Sequence, residues 1–455
     1  MRVRRVRGAA TLLVTAVVLA LSVQATGSPR PVTKTKAGAP VFANYPMPAG
    51  ATSANDAGEP SIGVNWRTDS TLFQAYASTY RIRFDDSRRP PVASWTKASS
   101  AYTPFNLDPI LATDPVTGRT LAGGDGGLCG SIALTLDDGA SWTPVLPCSL
   151  TADHPTVGFG PPRPESSLAT DRLAYYCQQT YLNECTRSTD GGLTWAPAVP
   201  ITGCSNLFGH VKTSRDGVVY LPSGSCSEGS GNGVGGAVSL DNGLTWSSYR
   251  VDGAGPNTGF DPSVGVGSDG TVYEAWTDGQ AQLRVSTSRD QAGTWTDPVA
   301  PTAALHLSAA TFPAVVAGDG DRVAVAFLGT VPGEHTADNG DDPFSSGYHG
   351  VWHLYTSFSY DRGRTWVTSR LTDDPVQRGW IDAGGATASD HRNLLDFIDA
   401  AVTKSGRVVI GYADGCVAGC AERDGTEASS SSAYGTIARQ WQGKGLFAAY
   451  DKVNG

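Results

Sequence analysis

Charge is scarce in this chain, and helix-type patterning is scarcer still. Asp, Glu, Lys and Arg make up 17% of its 455 residues, and apolar residues almost nowhere recur at the helical period. That lack points away from helical architectures. After residue 25 no stretch is apolar and long enough to cross a bilayer as a helix, so no membrane association is expected. Basic residues are outnumbered 34 to 43, for a formal charge of −9. Such a surface is poor at holding nucleic acid or an anionic membrane. Histidines and cysteines at zinc-site spacing are missing too, which leaves Cys416-x-x-x-Cys420 without support as a metal clip. Glycine is abundant instead, at 55 residues, as many tight turns between short strands require.

The first 25 residues read as an export signal: Arg2, Arg4, Arg5 and Arg7, then an apolar run from Ala9 to Val23, then a small-residue cleavage site near Ala25. A secreted protein is expected, its formal charge moving to about −13 on cleavage. Residues 26–40 are rich in Pro, Lys, Thr and Gly and read as a flexible spacer, with one domain over 41–455. Eight cysteines in an exported chain read as disulfides. Local pairings are expected, because strands of one repeat are neighbours: Cys129–Cys148, Cys177–Cys185, Cys204–Cys226 and Cys416–Cys420.

What the chain does contain is a sentence repeated five times. It reads Thr135-Leu-Asp137-Asp-Gly139-Ala-Ser141-Trp142, and returns at Ser188–Trp195, Ser239–Trp246, Ser288–Trp295 and Ser359–Trp366. The copies begin 53, 51, 49 and then 71 residues apart, and the fourth has its glycine displaced by one place. A period near 50 marks a radial or stacked repeat fold. Asp and Gly suit a tight hairpin, since Asp accepts local N–H bonds and Gly supplies a positive φ. The Trp is expected to pack against that hairpin, so the boxes read as scaffold.

A second phrase precedes each box: Glu59-Pro, Asp108-Pro, His154-Pro, Asp261-Pro and Phe312-Pro, with looser versions at His210 and Asp396. Seven such starts, mostly 46–56 residues apart, predict an all-β, seven-bladed β-propeller of four-stranded blades, with six blades as the alternative count. Blade 1 has lost its box between Phe84 and Trp95, and blade 7 shows none.

The boxes resemble the Asp-box (BNR) repeats of the sialidase superfamily over roughly residues 45–455. The resemblance implies the propeller and an action on glycans. It also implies an Arg-Ile-Pro phrase opening the first inner strand, where this chain has Gly58-Glu59-Pro60-Ser61-Ile62. A carboxylate there would repel an anionic sugar, so no sialidase catalytic residue carries over.

In propellers of this type the starts of the inner strands ring the channel mouth. Glu59, Asp261 and Asp396 are therefore the acid/base candidates, with Asp108, His154 and His210 as substrate-binding or positioning groups. Crowded carboxylates raise one another's pKa, and a suitably spaced pair is what glycoside cleavage needs. The same oxygens would suit Ca²⁺; no other cofactor is expected. The competing reading of an acid before Pro is a turn cap. Two segments break the period: 332–350, holding Tyr348, and 372–393, holding Arg378, Trp380, Asp390, His391 and Arg392. Arg378, Trp380 and Arg392 are read as substrate contacts. The expected function is a secreted glycosidase acting on extracellular glycans, as a monomer. The alternatives are a non-catalytic glycan- or protein-binding propeller, and third a polysaccharide lyase with a Tyr or His base.

Overall fold

The computed structural model describes residues 25–27, 30–31, 39–48, 57–75, 78–103, 108–125, 129–147, 153–179, 183–228, 231–255, 261–330, 343–344, 348, 350–381, 394–416 and 433–454. Each repeat forms one antiparallel sheet, and seven sheets stand in a ring. Their inner strands are Ser61–Asn65, Ile110–Thr113, Thr156–Gly160, Lys212–Thr213, Ser263–Val266, Ala309–Ala317 and Asp399–Val402 for blades 1 to 7. Neighbouring inner strands touch all the way round, the last closing on the first. This is the seven-bladed β-propeller that the repeats predict, and the six-blade count falls.

Each sheet is sandwiched between two others, so its middle strands are buried on both faces. Val323–Thr330 in blade 6 is buried at every position. The apolar clusters lie between blades. One joins Phe73, Trp95 and Tyr80 of blade 1 to Val409 and Ile437 of blade 7. Blade 5 is the thinnest: beyond Leu283–Ser288 its fourth strand shrinks to one bridge, Val285 to Val299.

The ring closes by exchange of chain ends. Blade 7 takes Val408–Asp414 and Tyr434–Gln442 from the C-terminal side, and its outer strand is Val41–Pro46. Blade 7 lacks a box because the hairpin that would carry it is where the two chain ends meet. Blade 1 replaces its box with an ion-pair cluster: Asp86 receives two hydrogen bonds from Arg439 (2.7 and 2.9 Å) and one from Arg407 (3.2 Å). Within the segment read as a spacer, Arg30–Pro31 pairs with Val41–Pro46, and Ala25–Gly27, at its junction with the segment read as an export signal, pairs with Val92–Lys97 of blade 1.

The five boxes share one hydrogen-bond pattern. Ser141 N–H and Oγ donate to the two oxygens of Asp137 (2.8 and 2.6 Å), while Thr135 Oγ1 accepts from Gly139 N–H (2.9 Å). Asp138 and Gly139 adopt φ of 57° and 80°. In the fourth box the displaced glycine leaves Ala292 in that left-handed position, at φ 69°, and its N–H still reaches Ser288 Oγ at 3.1 Å. The tryptophans correct one expectation: they pack against the preceding blade as well as their own. Trp142 Nε1 donates to Ala98 O of blade 1 (2.8 Å), and Trp295 stacks on Tyr249 of blade 4.

Cys177–Cys185 and Cys204–Cys226 are disulfides, each linking directly paired residues of adjacent strands. Cys129 and Cys416 are also disulfide-bonded; their expected partners, Cys148 and Cys420, lie outside the described residues. Among the described residues no helix is long and apolar enough to cross a membrane.

Candidate functional site at the channel mouth

Every polar ring residue stands just ahead of its strand. Glu59, Asp108, His154, His210 and Asp261 each precede an inner strand by two residues, and Asp396 precedes Asp399–Val402 by three. Glu59 and His154 hold φ of 52° and 50°, a conformation that a residue before proline rarely takes. Such strain persists only where packing enforces it, and it concentrates at functional sites. Phe312 shares the strain at φ 54°, but it is an apolar, buried member of the blade 6 core, three residues into its strand.

The polar members meet across the axis. His154 Nε2 lies 2.9 Å from Asp261 Oδ2, joining blade 3 to blade 5, and both side chains are buried. The backbone N–H of His154 donates to Asp108 Oδ2 at 3.0 Å. Burial opposes a charge on His154, yet its bond to Asp261, with Asp396 and Glu59 behind, lifts its pKa well above the ordinary 6.5. Burial also raises Asp261, and Asp396 adds to the rise. Both shifts act in one direction: the pair keeps its proton. Glu59 is fully buried, and Asp396 is 8% exposed.

A second pair lies beside the first. His210 Nδ1 stands 3.3 Å from Asp399 Oδ1, and Asp399 also accepts the N–H groups of Ile62 (3.0 Å) and Ala400 (2.8 Å). Burial opposes ionisation of Asp399, but His210, Lys212 and these donors hold its pKa below the ordinary range. The ring of Phe397 separates the two imidazoles, with centroids 4.6 Å from His210 and 6.3 Å from His154.

Asp399 and Phe397 were not singled out from sequence. Both sit in the phrase that opens at Asp396, but the strand begins three residues later, and only the cross-ring hydrogen bonds distinguish Asp399. Arg378 lies on the edge strand Gln377–Arg378, paired with Val351, and Trp380 packs half-buried against the blade 6 core. Tyr348 is buried in that same core. Arg392, with Asp390 and His391, lies outside the described residues. Among the described residues no group of three His, Cys, Asp or Glu side chains is arranged to hold a metal ion.

No family model and no curated protein matches the chain. Solved structures similar to it include the NanB sialidase from Streptococcus pneumoniae, at 10% identity over 87% of this chain and 70% of that one, with a TM-score of 0.40. A lectin from Aleuria aurantia, solved with Fucalpha1-6GlcNAc, is 14% identical over 69% of this chain and 96% of its own, with a TM-score of 0.41. YCF48, solved with a bound peptide, is 11% identical over 88% and 94%, with a TM-score of 0.45. The seven sheets and five box hairpins decide the architecture. This is a seven-bladed β-propeller.

Proposed function

We propose that this propeller is a secreted glycoside hydrolase whose reaction site is the channel mouth. The observation that carries the reading is the convergence, from separate blades, of Glu59, Asp108, His154, Asp261 and Asp396 on one buried cluster that holds a proton. Glycoside cleavage needs a carboxylic acid kept protonated near neutral pH beside a second, ionised carboxylate. The proton kept by the His154–Asp261 pair serves the first role. Asp396, nearer the surface, is the acid/base candidate best placed to meet substrate, and His210 is held beside the mouth by Asp399. Two disulfides, and an N-terminal segment that reads as an export signal, support an extracellular site of action.

A second reading is a non-catalytic propeller that binds glycan through the same face. Its support is the depth of the cluster: Glu59, His154 and Asp261 are packed inside the ring, as groups that brace a rigid platform would be.

The test is mass spectrometry of products from a panel of sialylated, neutral and uronate-containing glycans. A hydrolase releases sugars, and Asp396→Asn lowers the rate at least 100-fold while leaving the melting temperature near wild type. Glycan retention without any product establishes the binder; neither product nor retention refutes both readings.

A further inference from the structure

Along the ring axis, past His210 and Asp399, the inner strands enclose a channel of about 300 Å³. Every inner strand is hydrogen-bonded within its sheet on one side only. Its other edge faces the axis, where neighbouring side chains take several of the N–H groups: Ile62 donates to Asp399, Val211 to Thr156 Oγ1 and Val315 to Ser263 Oγ. The side chains lining the channel are mostly small or aliphatic. The charged ones are His210, Lys212 and Arg215 of blade 4 and Asp399 of blade 7.

Their balance is uneven. Asp399 is already committed to His210 and two backbone donors. Lys212 acts on it at longer range, and among the described residues no salt bridge within 4.0 Å is formed by Lys212 or Arg215. Arg215 stands exposed at the end away from the mouth, beside Trp66 and Phe447. Three of the carboxylates in the turns following the inner strands there are paired with arginines, while Asp69 and Asp319 form no salt bridge among the described residues. Asp114 pairs with Arg172, Asp216 with Arg163 and Asp269 with Arg362, each at 2.9 Å, and Asp319 accepts the Ala448 N–H at 2.7 Å. Lys212 and Arg215 set against Asp399 leave the channel lining one cation in excess, inside a protein whose net charge is −9.

We propose that the channel is a binding site for a small anion, a carboxylate or oxyanion no larger than a monosaccharide acid. Lys212 and Arg215 supply both the charge and the charge-assisted hydrogen bonds. The volume equals that of roughly ten liquid waters, enough for such a ligand and too small for a chain. The site does not depend on what the mouth does, since Arg215 and the far end of the channel lie outside that cluster.

The probes are D-glucuronate and inorganic phosphate, with glucose as the uncharged control, read by calorimetry and by the shift in melting temperature. A saturable response to at least one anion and none to glucose is expected; which anion answers separates a sugar acid from an inorganic oxyanion. Lys212→Met and Arg215→Met should each weaken binding about ten-fold or more, as loss of a charge-assisted contact does. Asp396→Asn should leave binding unchanged. Because Arg215 is exposed, its variant remains decisive if Lys212→Met fails to fold. No saturable response to either anion up to about 10 mM, an equal response to glucose, or affinity retained in Arg215→Met overturns the proposal.

Discussion

Gly139 and Gly363 occupy the same place in two boxes, at φ 80° and 78°, and differ in what surrounds them. A Cβ on Gly139 would lie 2.8 Å from the Ala98 Cβ, whereas one on Gly363 would meet nothing closer than 3.5 Å. Left-handed backbone costs a side-chain-bearing residue about 1–2 kcal/mol, and a backbone-fixed clash adds about 1–3 kcal/mol more. Ala292 shows that the first cost alone is bearable. Gly363→Ala is thus predicted to lower stability by about 1 kcal/mol and Gly139→Ala by about 3 kcal/mol, measured by denaturant unfolding. Equal losses would mean that conformation, not contact, sets the cost. At this scale the sequence was a good guide: the box bonds span two to four residues, so Ser/Thr, Asp and Gly at fixed spacing nearly determine them.

At the scale of the element, legibility fell with sequence separation. The box hairpins and inner-strand starts were readable because each is local. The outer strand of blade 7 was not: Val41–Pro46 pairs with Tyr434–Gln442, almost a full chain length away, and no turn motif marks the junction. The partners of the box tryptophans were missed for the same reason, since they lie on the preceding blade. This distant strand is a structural joint. Phe42 is fully buried against Phe358 of blade 6, and Asn44 Nδ2 donates to Leu371 O at 2.6 Å. Phe42→Ala should cost about 3–5 kcal/mol, as deletion of a buried aromatic does. A cost below about 1 kcal/mol in the unfolding curve would show that the ring holds without this strand.

For the whole molecule, the two His–Asp pairs matter because they tie distant blades together across the axis. Ring membership of His154, Asp261 and His210 could be inferred from the repeat register. Which of them touch could not, because partners two or three blades apart share no local pattern. The consequence is a pH dependence with a definite sign. His154 and Asp261 both have raised pKa values in the folded state. At this pair the folded protein therefore binds more protons than the unfolded chain, and the pair's contribution to stability falls as pH rises. For His154 the stabilisation is complete below its ordinary 6.5 and is lost as pH climbs through the higher folded value. His154→Gln should flatten this part of the curve.

The central claim is that the blades deliver a proton-holding cluster to the channel mouth, and the state of one ring tests it directly. Heteronuclear NMR of the His154 imidazole nitrogens, followed against pH, should show an imidazolium persisting well above the ordinary histidine value of 6.5. Replacing its partner, as Asp261→Asn, should return the titration toward or below that value. A neutral ring already present at about pH 7 in the native protein would contradict the account, because the mouth would then hold no proton for chemistry to use.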